Sequence, residues 1–195
     1  PMRLTVQSFE QRFLKDKPYS KEKIKEFSKI LIEQIDTMKD VANAFSNFAA
    51  LPEAKLRPLD IVEISRRSLE IFEQIKIVFT SSHPKIFVNL DRTQWVRVMT
   101  NLIQNGIQSV PAESKVELKI EIKKLMKEVQ IHFSDNGIGI SKSIKDKIFE
   151  PKFTTKTNGM GLGLGIVKNI VSSHGGKINY SSSSKGTKFT ITLKI

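Results

Sequence analysis

The chain has 195 residues, 39% of them hydrophobic and 27% charged, with 32 Lys and Arg against 20 Asp and Glu, a net charge of +12 and a pI near 9.8. That length fits one domain, or one domain with an appendage, and the apolar share suffices for a core, which excludes wholesale disorder. The lack of cysteine excludes disulfides and Cys-based metal sites; no charge-free apolar run approaches the roughly 20 residues of a membrane span, and the opening PMRLTVQ is not a signal peptide, so the chain as given is expected to be soluble.

From the N-terminus, Met2, Val6, Phe9 and Phe13 repeat at helical spacing. Lys15–Ser20 reads as a turn, with Ser20 placed to cap the next helix. Between Lys21 and Ala50 there is neither Gly nor Pro. Ile24, Leu31, Met38 and Phe45 form one seven-residue series, and Phe27, Gln34, Val41 and Phe48 a second, offset by three. Ile30, Ile35, Ala42 and Ala49 widen the stripe beyond a two-stranded seam. Two helices cannot close a bundle core alone, so residues 1–50 are expected to form a hairpin that dimerises into four helices. Packing of both helices on the rest of the chain is the alternative. Leu51–Pro58, with two prolines, reads as a hinge.

Beyond the hinge the pattern turns to mixed α and β. Asp60 and Glu63 have capping-box spacing for a helix running to about Glu73. Ile75–Thr80 and Ile86–Asn89 read as strands, and Asp91 caps a helix from Arg92 to Ser109. Val116–Ile122 and Val129–Phe133 alternate as strands. Residues 134–160 read as one long loop, followed by a helix from about Leu162 to Ser173 that ends at Gly175-Gly176. Lys177–Ser182 and Thr187–Lys194 close the chain as paired strands.

Four segments carry chemistry. Asn101 and Asn105 lie one turn apart on one helix face, and their amide oxygens are hard donors suited to Mg²⁺, although two Asn at this spacing are usually surface residues. Asp135-Asn136-Gly137-Ile138-Gly139-Ile140 follows a strand; its glycines allow close ligand approach and its carboxylate can accept an adenine amino group, or the segment is a plain turn. Ile148–Lys156 lies in the long loop, where Thr154, Thr155 and Lys156 would suit a lid over phosphates, or an exposed basic loop. Gly159-Met160-Gly161-Leu162-Gly163-Leu164-Gly165 precedes a helix whose N-terminal amides can hold an anion. It is neither a Rossmann fingerprint nor a Walker A loop.

In order and spacing these segments resemble the ATP-binding module of sensor histidine kinases, within the group that includes gyrase, the ninety-kilodalton heat-shock chaperone and MutL. Asn101–Asn105 resembles the N box, Asp135–Gly139 the first glycine box, Phe149–Lys156 the F box and Gly159–Leu164 the second glycine box. Gly186-Thr187 resembles the short element before the last strand. Ala44–Pro52 resembles the end of the second dimerisation helix in nitrogen-regulation, NtrY-like kinases. In those kinases the phosphoacceptor histidine precedes a segment like Pro1-Met2-Arg3-Leu4, so it is expected just upstream and absent here. His83, His132 and His174 fall in a loop, a strand and a helix end, and read as structural. Three positions depart from the family pattern: Gly106 replaces a common Ala, Gln108 stands where many members carry a basic residue, and Lys152 where an aromatic or small residue is usual.

The resemblance implies an α+β fold, a two-layer Bergerat-type sandwich over 59–195 with helices on one face of a mixed sheet, preceded by the hairpin at 1–50 and the hinge at 51–58. It implies ATP and Mg²⁺ as cofactors, with Asn105, helped by Asn101, holding the metal. Asp135 would read adenine in a pocket shaped by Gly137, Gly139 and Ile140. Amides of Gly161, Gly163 and Leu164 would cradle the phosphates and Lys156 would close from the lid, with Phe153, Thr154, Thr155, Gly159, Leu162 and Thr187 completing the ATP-binding set. Asn101 stands where hydrolytic relatives have a water-activating Glu, so transfer to a histidine is expected rather than directed hydrolysis. As truncated, the chain would not label itself. The implied partners are a second copy through the N-terminal helices and an acidic response-regulator receiver domain, in a cytoplasmic setting, with any inner-membrane anchor outside these residues. A serine kinase of the anti-sigma type and a non-catalytic nucleotide-binding scaffold are the alternatives. Nucleic acid is not expected, because residues 141–195 hold 10 basic and 2 acidic side chains, clustered around the glycine boxes rather than interleaved with aromatics.

Overall fold

The computed structural model describes residues 6–7, 10–11, 20–49, 52–150 and 161–195, and of residues 37 and 39–49 it describes the backbone alone. The chain divides into two compact units, Pro1–Leu51 and Pro52–Ile195.

In the first unit, residues 6–7 and 10–11 are helical; Met2, Phe9 and Phe13 lie outside the described residues. Helix α1 spans Lys21–Ala49. Ser20 caps it, its Oγ accepting from Lys23 N at 3.3 Å. Ile24, Ile35 and Met38, all on the expected apolar stripe, are 46%, 54% and 62% exposed.

The second unit begins with strand β1 (Arg57–Asp60), which takes up two residues expected in the hinge and pairs antiparallel with β3 (Phe87–Leu90). Pro58, which has no N–H to donate, is tolerated in this two-stranded sheet because one side of β1 has no neighbour. Helix α2 (Ile61–Ser68) follows directly. Asp60 caps it, but not as a reciprocal capping box: Oδ1 accepts from Val62 N and Ile86 N, each at 3.1 Å. Glu63 instead meets Arg67 at 2.9 Å. The helix stops short of Glu73 and tightens into a 3₁₀ turn at Glu70–Phe72. Ser68 Oγ donates to Ile64 O at 2.8 Å, a side-chain bond that competes with the helical ladder at that point.

The main sheet has the order β2 (Ile77–Ser81), β4 (Leu118–Lys124), β5 (Glu128–Asp135), β7 (Gly186–Lys194), β6 (Lys177–Ser183). β2 and β4 are parallel and the other pairs antiparallel. Val129, Ile131 and Phe133 of β5 sit opposite Leu193, Ile191 and Phe189 of β7, and all six are buried. Against this face pack α3 (Arg92–Ser109) and α4 (Gly163–Ser173), through Val98, Met99, Leu102, Ile166, Val167 and Ile170. Trp95 of α3 is 1% exposed, and its Nε1 donates to Ser65 Oγ of α2 at 3.0 Å. Truncating such a side chain to Ala costs about 3–5 kcal/mol. The sheet's other face is polar and open, with Lys119, Lys123 and Lys188 on it. The architecture is the two-layer α+β sandwich implied by the sequence, and its two layers set the C-terminal end of β5 beside α3 and the start of β7.

Candidate nucleotide-binding site

The site starts from Asp135, the last residue of β5. Its Oδ1 accepts from Gly137 N at 2.9 Å and Thr187 N at 3.1 Å. The Ser109 hydroxyl lies 3.2 Å from the same oxygen and 2.7 Å from Gly106 O, so its one proton serves either acceptor. One carboxylate oxygen thus gathers the end of α3, the loop after β5 and the start of β7.

Glycines make this convergence possible. A Cβ on Gly137 would sit 1.9 Å from Ser109 Oγ. Gly186 has φ 130° and passes so close to Asp135 that a Cβ would lie 1.9 Å from its carbonyl oxygen. Gly139, at φ 75°, turns the loop under the β6–β7 connection, where Ile140 N donates to Ser182 Oγ at 2.8 Å. Ser182 Oγ in turn lies 2.9 Å from Thr187 Oγ1. Asn136 anchors the other side, accepting from Glu117 N and donating to Lys115 O, each at 2.9 Å. Asp135 stands at the wall of a small cavity lined also by Leu102, Ile103, Gly106, Leu118 and Phe189.

Asn101 and Asn105 project from α3 toward the first residue of α4. A Cβ on Gly163 would lie 2.9 Å from Asn101 Oδ1 and 3.6 Å from Asn105 Nδ2. Asn101 Nδ2 donates to Arg97 O at 2.7 Å, which fixes the carboxamide. Asn105 Nδ2 is buried without a hydrogen-bond partner. Rotating that carboxamide by half a turn puts an oxygen at the same place, so the position suits a hard cation. Leu162 makes no side-chain cap to α4, leaving the amides of its first turn for an anion.

The remaining expected site residues divide between two places. Gly161, Leu162, Gly163 and Leu164 lie at the start of α4, with Gly161 at φ 64°. Phe153, Thr154, Thr155, Lys156 and Gly159, and with them Lys152, lie outside the described residues. The segment leading to them is not one long loop: Lys142–Lys147 form a 3₁₀ helix capped by Ser141. Phe149 then packs edge-on against Tyr180 and Phe189, with centroids 6.1 and 6.5 Å apart, under Lys168 Nζ at 5.7 Å. Burial raises the Tyr180 phenol above its ordinary range, and Asp146 adds to the shift. Ser109 and Ser182 escape the sequence reading; only the docking of α3 on β5 and the pairing of β6 with β7 bring them to the Asp135 loop.

The helix ends remote from the site are tied together. Asp91 caps α3, with Oδ1 accepting from Gln94 N and Oδ2 from Lys55 N, each at 3.0 Å. The Gln94 bond leads in holding the Asp91 carboxyl below its ordinary pKa, against burial, with the Lys55 and Thr93 amides assisting. His174, ending α4, accepts from Asp91 N through Nε2 at 2.9 Å, and its Nδ1 lies 2.7 Å from Ile170 O. His132 Nδ1 meets Thr190 Oγ1 at 3.0 Å, and His83 Nδ1 meets Ser82 Oγ at 2.9 Å. Among the described residues no helix is long and apolar enough to cross a membrane.

The family model described as histidine kinase-, DNA gyrase B- and HSP90-like ATPase matches residues 90–195, more than half of the chain. Nitrogen regulation protein NtrY of Azorhizobium caulinodans is 26% identical over 204 aligned residues, covering 100% of this chain and 26% of NtrY. The chain therefore spans about a quarter of that relative's length. The catalytic domain of histidine kinase ThkA superposes with a TM-score of 0.66 at 31% identity, over 72% of this chain and 95% of that one. ThkA in complex with the response regulator TrrA shares the fold of 99% of this chain and 58% of its own, with a TM-score of 0.73 at 23% identity.

Proposed function

The chain belongs to the family of histidine kinase-, DNA gyrase B- and HSP90-like ATPases, and on that premise we propose that residues 59–195 bind MgATP and pass its γ-phosphoryl group to a histidine outside these residues. The supporting observation is the juxtaposition of Asp135, fixed through one oxygen at the end of α3, with the cluster that Asn101 and Asn105 of the same helix make with Gly163. Asp135, held through one oxygen by the Gly137 and Thr187 amides, is oriented to accept the adenine amino group with the other. Asn105, assisted by Asn101, holds Mg²⁺, which when bound neutralises charge on the phosphates. Amides of Gly161, Gly163 and Leu164 receive the phosphate oxygens, and Lys156 closes over them with Thr154 and Thr155.

Asn101 has no useful basicity near neutral pH, so no side chain at that position activates water. The site positions the γ-phosphorus for attack by an imidazole nitrogen: the new P–N bond forms as the bond to the β-phosphate oxygen breaks, and ADP leaves. The exposed apolar residues of α1, Ile24, Ile35 and Met38, support a homodimer through residues 1–50, with the hinge expected at 51–58 losing Arg57 and Pro58 to β1. The ThkA–TrrA complex supports a response-regulator receiver domain as the partner that accepts the phosphoryl group. A cytoplasmic location follows from that relay. NtrY aligns along α1 as well as the ATP-binding unit, which favours a sensor kinase over the anti-sigma type.

Titration with ADP and Mg²⁺, followed by incubation of γ-labelled ATP with a histidine-bearing helical fragment, tests this reading. Binding lost in Asn105→Ala but kept in Gln108→Ala is expected, with label on the added fragment. Strong self-labelling of the chain alone would overturn the missing acceptor; equal nucleotide binding by both variants would overturn the metal site.

A further inference from the structure

The end of the sheet remote from Asp135 carries a feature that nucleotide chemistry does not use. Leu125 N donates to Glu128 O at 2.8 Å, so Met126 and Lys127 alone turn the chain between β4 and β5. Two-residue hairpin turns favour Asn, Asp and Gly for their backbone freedom. Here the sequence gives up those residues for an apolar and a basic one. Met126 is 96% exposed, more than any other described large hydrophobic residue, and Leu125 beside it is 43% exposed. A local rule broken at an exposed tip, with no local gain, marks a candidate for contact with something else.

The charge around the tip indicates the partner. Lys123, Lys124 and Lys127 flank the two apolar side chains in sequence, and Lys194 joins them across the sheet, paired in register with Glu128. Lys123 lies 3.3 Å from Glu121, and Glu128 accepts from Gln130 Nε2 at 3.0 Å. Among the described residues Lys124, Lys127 and Lys194 make no ion pair. The tip is convex, with two apolar side chains. A stable protein interface needs roughly 800 Å² per partner and a matching surface, which such a point does not offer. A bilayer yields around a convex apolar point, and lysine stems can lie along it with their ammonium groups at the headgroups.

We propose that the β4–β5 tip docks on an anionic lipid surface, with Met126 and Leu125 entering the headgroup–acyl boundary and the four lysines on the headgroups. Glu128 to Asp135 spans seven residue steps of β5, about 23 Å at strand rise, so the Asp135 end of the sheet stays clear of the bilayer. This contact is additional to any anchor outside these residues, and it does not depend on the proposed phosphoryl transfer.

The test is co-sedimentation of the whole chain with phosphatidylcholine vesicles, with and without phosphatidylserine, at low and physiological salt. Binding only to the phosphatidylserine vesicles, weakened by salt, is expected, with each lysine worth about fivefold. Met126→Ser should lower affinity about tenfold and Lys124→Gln with Lys127→Gln about 25-fold, while ADP binding and melting temperature hold, because the tip is exposed. In Met126→Trp, vesicles should shift the indole emission to the blue over the constant signal of buried Trp95. No binding at low salt, or binding indifferent to Met126→Ser and to the tryptophan probe, would overturn the proposal. So would equal capture by poly-glutamate, which would point to an acidic protein instead.

Discussion

Asp135 allows fold and recognition to be separated by one substitution. Asp135→Ala removes the acceptor for Gly137 N and Thr187 N, while the Ser109 hydroxyl keeps Gly106 O. An unsatisfied donor costs about 1–3 kcal/mol, and this half-buried loop lies at the low end, so about 2 kcal/mol is lost for the two. In a unit of this size that lowers the melting temperature by about 7 °C. Asp135→Asn keeps an oxygen for the same donors, and those donors fix which carboxamide atom faces them. Only the extra strength of a charged acceptor goes, about 1 kcal/mol or about 3 °C. The other carboxamide atom then becomes an N–H₂ facing the adenine amino group, donor against donor. Losing that bond and opposing two donors costs about 3 kcal/mol in binding, on the order of 100-fold. Calorimetric titration with ADP, beside thermal melts of both variants, measures the two effects. Retention of ADP affinity by Asp135→Asn within about threefold, at any melting temperature, would refute the recognition role.

Gly163→Ala should leave melting unchanged or slightly raised, because Ala is the better helix former. Its Cβ, however, falls 2.9 Å from Asn101 Oδ1, so the Mg²⁺-dependent part of ADP affinity should drop about tenfold, read as the difference between titrations with Mg²⁺ and with EDTA. Asp91→Ala should cost about 1–2 kcal/mol near neutral pH through the lost cap. The folded Asp91 pKa is depressed, so its contribution is present above the unfolded value of about 3.9 and is lost as pH falls through the folded one. Urea midpoints of wild type and variant should therefore converge on acidification. His132 titrates below its ordinary range because of burial first and Lys188 and Lys123 next, with Glu121 opposing. The unfolded chain then binds more protons below about pH 6.5, and stability falls as pH drops through that window. His132→Gln should flatten this slope in urea titrations, and an unchanged slope would assign it to other groups.

The sequence made legible whatever depends on local pattern. The limits of α3 are those expected, because Asp91 starts it and no breaker interrupts it before Ser109. α4 begins within a residue of expectation and is stopped by Gly175, at φ 68°, and Gly176. α2 ends before Glu73 because the chain tightens, with Leu69 N donating to Arg66 O and a 3₁₀ turn at Glu70–Phe72, a change of turn type that no breaker residue marks in the sequence. The strand at Arg57-Pro58 was hidden because proline argues against strands in general, and only the two-stranded sheet explains its tolerance. At the site, the motifs named Asn101, Asn105, Asp135 and the glycines that converge there, whereas Ser109, Ser182 and Asn136 hold the loop through contacts between elements. Their partners lie 26, 42 and 19 or 21 positions away, distances at which no periodicity survives.

Gly106 shows how a departure from a family pattern can have a structural counterpart. Where Ala is common, this helix has no side chain, and a Cβ would stand 2.7 Å from Leu118 Cδ2 and 3.4 Å from Asp135 Cβ. The Leu118 side chain, 6% exposed, therefore occupies the room that an alanine methyl would take. Glycine in a helix interior costs roughly 1 kcal/mol against alanine, and burying a leucine side chain contributes about 1.5–3 kcal/mol, so the exchange favours the pair as found. Leu118 is also the first residue of β4 and the register partner of Asp135. The side chain that fills the space beside Gly106 thus belongs to the register partner of Asp135, and Gly106, Leu118 and Asp135 line one cavity.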